Sequence, residues 1–82
     1  MKALHKFVTD ANRWRSVFGH TEYSLDNAAD RQKIANKIDS ELSPENLTCD
    51  GELSRAQVQA KYKHLTAAAR ELQQLDPSVI FY

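Results

Sequence analysis

The segment LSPENLTCDGELSRAQ, residues 42–57, places a chain reversal between two helix-start patterns and constrains the fold more than any other part of the sequence. Ser43 is a good N-cap, and the proline after it suits a first helical position, so Pro44–Leu47 should form a short helical turn. Asp50–Gly51 suits a reversal, because glycine adopts a positive φ without steric cost. We therefore expect helices on either side of a turn.

Apolar residues before this segment recur at steps of three and four, the period of an amphipathic helix. A first helix is predicted over about residues 2–18, with Gly19 as its stop. A second is predicted over about residues 24–42, with Ser24 as its N-cap. The first stripe comprises Leu4, Phe7, Val8, Ala11, Trp14 and Phe18, and the second, thinner one comprises Ala28, Ala29, Ile34, Ala35, Ile38 and Leu42.

A third helix is predicted over about residues 54–75. Ser54 and Gln57 form a capping box at its start, and Pro77 closes it because the residue before a proline avoids helical geometry. Its apolar residues alternate steps of four and three, which is typical of a seam packed along a neighbouring helix. That neighbour should belong to the same chain, although a homodimer would present the same pattern. The seam residues are Val58, Tyr62, Leu65, Ala69 and Leu72.

The sequence ends in the apolar run Val79, Ile80, Phe81 and Tyr82, which would expose contiguous apolar surface if it were left free in water. We expect this tail to pack back across the helices. The alternative is that it binds a partner or adds a strand to another chain. The predicted fold is therefore all-α: a single domain over residues 1–82, built as a small three-helix bundle with a short extra helical turn and a docked C-terminal tail.

Size and composition exclude several classes of protein. A core formed by 82 residues rarely contributes more than about 3–5 kcal/mol, which is compatible with self-association. Eleven acidic and eleven basic residues cancel, so no overall charge favours nucleic acid or an anionic membrane. Cys49 is the only cysteine, which makes an intrachain disulfide impossible. No apolar run approaches the ~20 residues of a membrane span. We expect a soluble, unprocessed protein in a cytoplasm, with no membrane partner.

The same segment also imitates part of a calcium-binding loop. With Gly51 as the loop glycine, the ligand positions fall on Asn46, Thr48, Asp50, Glu52, Ser54 and Gln57. Such a loop needs an anionic first ligand and a bidentate glutamate at the end, because Ca²⁺ requires charge to offset its dehydration. The neutral Asn46 and Gln57 hold those two positions. A turn with a capping box is therefore favoured, and a degenerate calcium loop is a minor alternative.

Other metal and catalytic chemistry has weaker support still. Zinc ligands of structural sites come in pairs two to five residues apart, and the candidate ligands lack such a pair. A catalytic Cys49 would need a base and an orienting group, and no local signature indicates either. We expect no enzymatic activity, no metal and no cofactor. The candidate zinc ligands are His5, His20, Cys49 and His64.

Cationic and aromatic side chains interleave around the end of the first predicted helix. This composition is typical of protein-interface hot spots, and it could also stack on bases and contact phosphates. The competing interpretation is that Trp14 and Phe18 face the core. Nucleic acid binding, which would also use Arg55, Lys61 and Lys63, is the minority prediction because the chain has no basic run. The predicted partner-binding residues are Arg13, Trp14, Arg15, Phe18, His20 and Tyr23, with Ile80, Phe81 and Tyr82 of the tail.

The stretch LSPENLTCDGELSRAQVQAKY resembles small uncharacterised proteins encoded by tailed bacteriophages and prophages. The resemblance covers about residues 41–75 and carries no assigned chemistry, so it transfers no catalytic or binding residue. It implies a bacterial host cytoplasm and an accessory gene whose product acts by contact. The expectation is a non-enzymatic phage accessory protein that binds a host protein or complex, as an inhibitor of host defence or host machinery.

Overall fold

The computed structural model describes residues 2–82, and these residues form four helices and no strand. The all-α prediction is therefore confirmed, with a fourth, short helix where the sequence predicts one turn. The helices are α1 (Lys2–Val17), α2 (Ala28–Glu41), α3 (Pro44–Thr48) and α4 (Arg55–Leu75). None of them is long and apolar enough to cross a membrane.

Helix α4 is the centre of the fold, since it packs against each of the other three helices. Arg31 Nε lies 2.6 Å from Asp76 Oδ2, and Glu41 Oε2 lies 3.5 Å from Lys61 Nζ. Residue numbers rise along α2 and fall along α4 between these two pairs, so α2 and α4 are antiparallel. The backbone N–H of Leu4 donates to Glu71 Oε1 at 3.1 Å, which places the start of α1 beside the end of α4.

The core is formed by the predicted stripes, but only along part of their length. The α4 seam is buried from Leu65 onward, whereas Tyr62 is 53% exposed. Ala68 is fully buried and Ala69 only partly, because α4 is contacted by neighbours on more than one side. The buried core cluster comprises Leu4, Phe7, Val8, Ile34, Ala35, Ile38, Leu65, Ala68, Leu72 and Val79.

Helix ends follow the predicted pattern at three sites. Gly19, the second residue after α1, has a φ of +73°. Ser43 caps α3, with Pro44 in its first turn. In the capping box of α4, Ser54 Oγ accepts from the Gln57 N–H at 3.2 Å, while Gln57 Oε1 accepts from the Ser54 N–H at 2.8 Å. These backbone donors have no partner within a helix, so the side chains satisfy them.

The predicted start of the second helix is wrong. The N-cap is Asn27, whose Oδ1 accepts from the Asp30 N–H at 3.1 Å, and not Ser24. Ser24 Oγ instead accepts from the Asp26 N–H at 3.2 Å within the preceding turn. Tyr23 and Leu25 pack against the core, and residues 25–26 form a turn, so helical geometry does not start at Ser24. The helix consequently begins at Ala28.

The reversal between α3 and α4 is sharper than Asp50–Gly51 alone predicts. Cys49, Asp50 and Gly51 have φ values of 49°, 57° and 87°, so three consecutive residues adopt left-handed backbone. The N–H of Asp50 returns to the Glu45 carbonyl at 2.9 Å, which closes the end of α3. Glycine and aspartate are among the residues that tolerate this geometry.

The C-terminal tail docks on its own domain, as predicted. Val79 is 5% exposed and belongs to the core. The side chain of Gln32 donates to the Ile80 carbonyl at 2.8 Å and accepts from the Ile80 N–H at 2.9 Å. Asp39 Oδ2 accepts from the Tyr82 N–H at 2.6 Å. Side chains of α2 therefore bind backbone groups of the tail, while Val79 and Phe81 pack against the core.

Candidate protein-interaction surface

Three apolar side chains at the end of α1 are exposed together, and we call Trp14, Val17 and Phe18 the aromatic patch. They are 66%, 69% and 70% exposed, respectively. The rings of Trp14 and Phe18 stack, with centroids 6.5 Å apart and planes inclined by 20°. Trp14 lies in the last turn of α1 and Phe18 directly follows the helix, so the two rings are presented on the same side.

The patch continues the buried stripe of α1 into solvent. Trp14 and Phe18 follow Phe7 and Ala11 at steps of three and four, and Ala11 is the last buried residue of the helix. The sequence placed both rings on the core-facing stripe, and a core position for them is wrong. Burial on α1 ends at Ala11, so the part of the stripe beyond it is exposed.

Two polar side chains of α1 pin the following loop against the helix. Asn12 brackets the backbone of Tyr23: its Nδ2 donates to the Tyr23 carbonyl at 3.0 Å, and its Oδ1 accepts from the Tyr23 N–H at 2.7 Å. Arg15 Nε donates to the Thr21 carbonyl at 2.6 Å, and its guanidinium lies 4.2 Å from the centre of the Tyr23 ring. The loop after the aromatic patch is therefore bound to α1 by hydrogen bonds at Thr21 and Tyr23.

These contacts separate the predicted partner-binding residues into those that hold the loop and those that are exposed. Arg15 and Tyr23 are occupied with each other and only partly exposed, so their role is to hold the loop. Arg13 and His20 are exposed, and Arg13 forms no ion pair with any residue from 2 to 82. Sequence reasoning missed Asn12, because a lone polar residue beside an apolar stripe gives no sign that it will bracket a distant backbone.

The end of α1 is locally cationic. Residues 11–21 contain Arg13, Arg15 and His20 and no carboxylate. Asp10, just before them, pairs with Lys6 at 3.2 Å. Arg13 is therefore an exposed cation beside the aromatic patch, without an ion pair within residues 2–82, whereas Arg15 is held against Tyr23 and Glu22 is exposed in the loop.

The predicted tail residues form a second surface, on α2 and α4. Phe81 is partly buried against the helices, whereas Ile80 and Tyr82 are 53% and 88% exposed. An open groove of about 310 Å³ lies beside Phe81. Its lining residues are Asp39, Leu42, Thr66, Ala69, Arg70, Gln73 and Phe81.

The basic residues named for nucleic acid binding are only partly available. Lys61 Nζ donates to the Asn46 carbonyl and approaches Glu41 Oε2 at 3.5 Å and Cys49 Sγ at 3.9 Å. Lys61 therefore fastens α3 to α4. Arg55 and Lys63 are exposed.

Four of the six candidate calcium ligands, Asn46, Thr48, Ser54 and Gln57, are engaged at helix ends. Asn46 Nδ2 donates to the Ser40 carbonyl at 2.7 Å, and Thr48 Oγ1 donates to the Pro44 carbonyl at 2.8 Å. Both residues lie within α3, and Ser54 and Gln57 bond to each other's backbone. Within residues 2–82, no group of three or more His, Cys, Asp or Glu side chains is arranged to hold a metal ion.

Comparison of the chain with protein-family models, curated proteins and solved structures gave no match. The aromatic patch is thus identified by its geometry alone: three large apolar side chains exposed together, beside Arg13, a cation that has no ion pair within the described part of the chain.

Proposed function

We propose that this chain is a non-enzymatic accessory protein that binds another protein through the aromatic patch. The observation that carries the proposal is the joint exposure of Trp14, Val17 and Phe18 at the end of α1. Trp14 and Phe18 together expose roughly 200–350 Å², given the 150–250 Å² that each aromatic side chain can bury. That area is similar to the largest patch on a typical monomer, about 300–600 Å², which is often functional.

Residue type supports the same conclusion. Tryptophan and arginine are enriched among the residues that dominate binding energy at protein interfaces. Trp14 and Val17 lie within α1, so their backbone needs little further ordering on binding, which lowers the entropy lost.

The proposed setting is a bacterial host cytoplasm, with a host protein or complex as the partner and inhibition of host defence or host machinery as the outcome. The support is the resemblance of residues 41–75 to phage and prophage proteins. That range spans α3 and α4, so the aromatic patch on α1 lies outside it. The patch would then belong to the part of the chain that is particular to this protein.

Nucleic acid binding is the second candidate function, favoured by the position of Arg13 next to a stacked tryptophan and phenylalanine. Its support is weaker, since Arg15 and Lys61 are occupied within the fold. Stacking platforms for single strands combine aromatic rings with a continuous basic groove.

A pull-down from bacterial lysate tests the proposal. Tagged wild-type protein should retain one stoichiometric protein, and the double substitution Trp14→Ser/Phe18→Ser should release it. Tyr82→Ser is the matched control, because it removes an aromatic ring that is 88% exposed from the other candidate surface. If Tyr82→Ser releases the partner and the double substitution does not, the binding site lies on the tail and not on the aromatic patch. Material lost on nuclease treatment or in salt would favour nucleic acid.

A further inference from the structure

We infer that the partner contributes an amphipathic helix, whose apolar stripe covers the aromatic patch and whose carboxylates face Arg13. This inference rests on the proposed function and specifies the class of partner. Three observations lead to it: the direction of the α1 stripe, the hydrogen bonding of the patch backbone and the local charge.

The exposed stripe is an extension of one that helices already cover. Over its first part, α1 buries Leu4, Phe7 and Ala11 in a fold where its main packing neighbour is α4. Trp14 and Phe18 stand four residues apart on the same row, which forms a ridge along the helix. Such a ridge fits the groove between rows of side chains on another helix. Within this fold, a helix covers the buried part of the α1 stripe. The exposed part beyond Ala11 continues the same spacing, so a helix is suited to cover it as well.

The backbone of the patch offers nothing to an extended strand. The N–H of Phe18 bonds to the Trp14 carbonyl at 3.2 Å, and the N–H of His20 bonds to the Arg15 carbonyl at 2.8 Å. Strand addition requires free backbone groups along an edge, and this segment presents side chains instead. A helix that lays its apolar face on the patch needs only those side chains.

Charge selects an acidic partner over a basic one. Arg13 is exposed and has no ion pair within residues 2–82, and His20 is exposed nearby in sequence. A partner helix with carboxylates beside its apolar stripe would meet Arg13, which favours both encounter and register.

A second copy of this chain fits the patch less well. Two copies joined through Trp14 and Phe18 would bury roughly 400–700 Å² from these rings, whereas stable interfaces bury about 1,200–2,000 Å². A two-fold axis through the patch would also bring the cationic ends of two α1 helices together. Like charges that meet in an interface oppose association.

Synthetic helical peptides of about 20 residues, long enough to form helix in water, test the inference. Two peptides share leucines at i, i+3, i+4 and i+7 and differ in flanking residues, glutamate in one and lysine in the other; a third has the glutamates with scrambled leucines. Circular dichroism establishes that each is helical. Emission from Trp14, the only tryptophan, reports binding to the full chain.

We expect the glutamate peptide to bind at least about five-fold more tightly than the lysine peptide at low salt, with the difference shrinking as salt is added. The scrambled peptide should not bind. Arg13→Gln should abolish the preference for glutamate, whereas Lys2→Gln, which removes an exposed cation at the opposite end of α1, should leave it intact. Phe18→Ser should weaken binding of both leucine-striped peptides, as followed by calorimetry.

Equal binding of the two charged peptides, or binding of neither, would overturn the inference. If the lysate partner is still released by Trp14→Ser/Phe18→Ser, the proposed function stands and only the helical class of partner is wrong. If no partner is found either, both fail. A dimer detected by sedimentation and lost with Phe18→Ser would show that a second copy covers the patch.

Discussion

Arg31 Nε lies 2.6 Å from Asp76 Oδ2, and this ion pair joins the first turn of α2 to the end of α4. Arg31 also donates to the Leu25 carbonyl at 2.8 Å, so the loop before α2 is held at the same point. Asp76 accepts from the hydroxyl of Ser78 at 2.5 Å and from its N–H at 3.0 Å. One carboxylate therefore organises the end of α4, the start of α2 and the entry to the tail.

Acid should weaken this junction. The Ser78 hydroxyl, followed by the Arg31 guanidinium, lowers the pKa of Asp76 to about 2. An unfolded aspartate titrates at about 3.9. Because the folded pKa is the lower one, the stabilisation is present above the unfolded value and is lost as the pH falls through about 2. Urea unfolding of the wild type between those pH values should show a fall in the free energy of unfolding. Asp76→Asn should be less stable at neutral pH, and its free energy of unfolding should fall less over the same pH range.

The control for this measurement is Asp10→Asn, which removes the exposed ion pair with Lys6. Exposed pairs contribute about 0–1 kcal/mol, so this variant should retain most of the wild-type acid dependence. Equal acid dependence in the wild type and Asp76→Asn would show that Asp76 does not carry the effect.

Loss of the α4 capping box should destabilise the whole domain, because α4 packs against every other helix. Ser54→Ala leaves the Gln57 N–H without its side-chain acceptor, and we expect the free energy of unfolding to fall by about 1 kcal/mol. Thermal melts followed by circular dichroism measure the change. Ser16→Ala, an exposed change inside α1, should have almost no effect, and an equal loss in both variants would argue against a capping contribution.

Deletion of residues 79–82 should destabilise the domain, because Val79 is in the core and the tail bonds to Gln32 and Asp39. We expect the free energy of unfolding to fall by about 2 kcal/mol, because the apolar surface that Val79 and Phe81 bury against the helices is lost. Chemical denaturation of the full and shortened chains provides the comparison. Tyr82→Ala, which alters an 88% exposed side chain, should change stability by no more than about 0.5 kcal/mol. Unchanged stability after deletion would show that the tail does not dock in solution.

Removal of the aromatic patch should leave the fold intact. Trp14→Ser and Phe18→Ser each remove a side chain that is about two-thirds exposed, so stability should change by about 0.5 kcal/mol or less. Leu72→Ala, in contrast, creates a cavity at a fully buried position and should cost about 2–5 kcal/mol. Emission of Trp14 should be that of a solvated indole and should be quenched readily by acrylamide. A buried emission spectrum at low protein concentration would contradict the exposed position.

Local signals accounted for most of the secondary structure. Ser43, Ser54 and Gln57 define helix starts through bonds to backbone groups three residues away, and these bonds form in any context that permits a helix. The second helix was misplaced because Ser24 and Asn27 are both good caps. The packing of Tyr23 and Leu25 on the core, a long-range event, decided between them.

Periodicity alone determined which side of each helix is apolar, but it could not determine how far that side is covered. The stripe of α1 runs through Trp14 and Phe18 without a break, whereas its burial ends at Ala11. The same holds for α4, whose seam is covered from Leu65 and open at Tyr62. The sequence therefore determined the helices, their caps and the inward stripe of each, since these depend on neighbours along the chain. Only the tertiary structure decided that Asn12 and Arg15 brace a loop and that the aromatic patch faces solvent, because both depend on where separate segments meet in space.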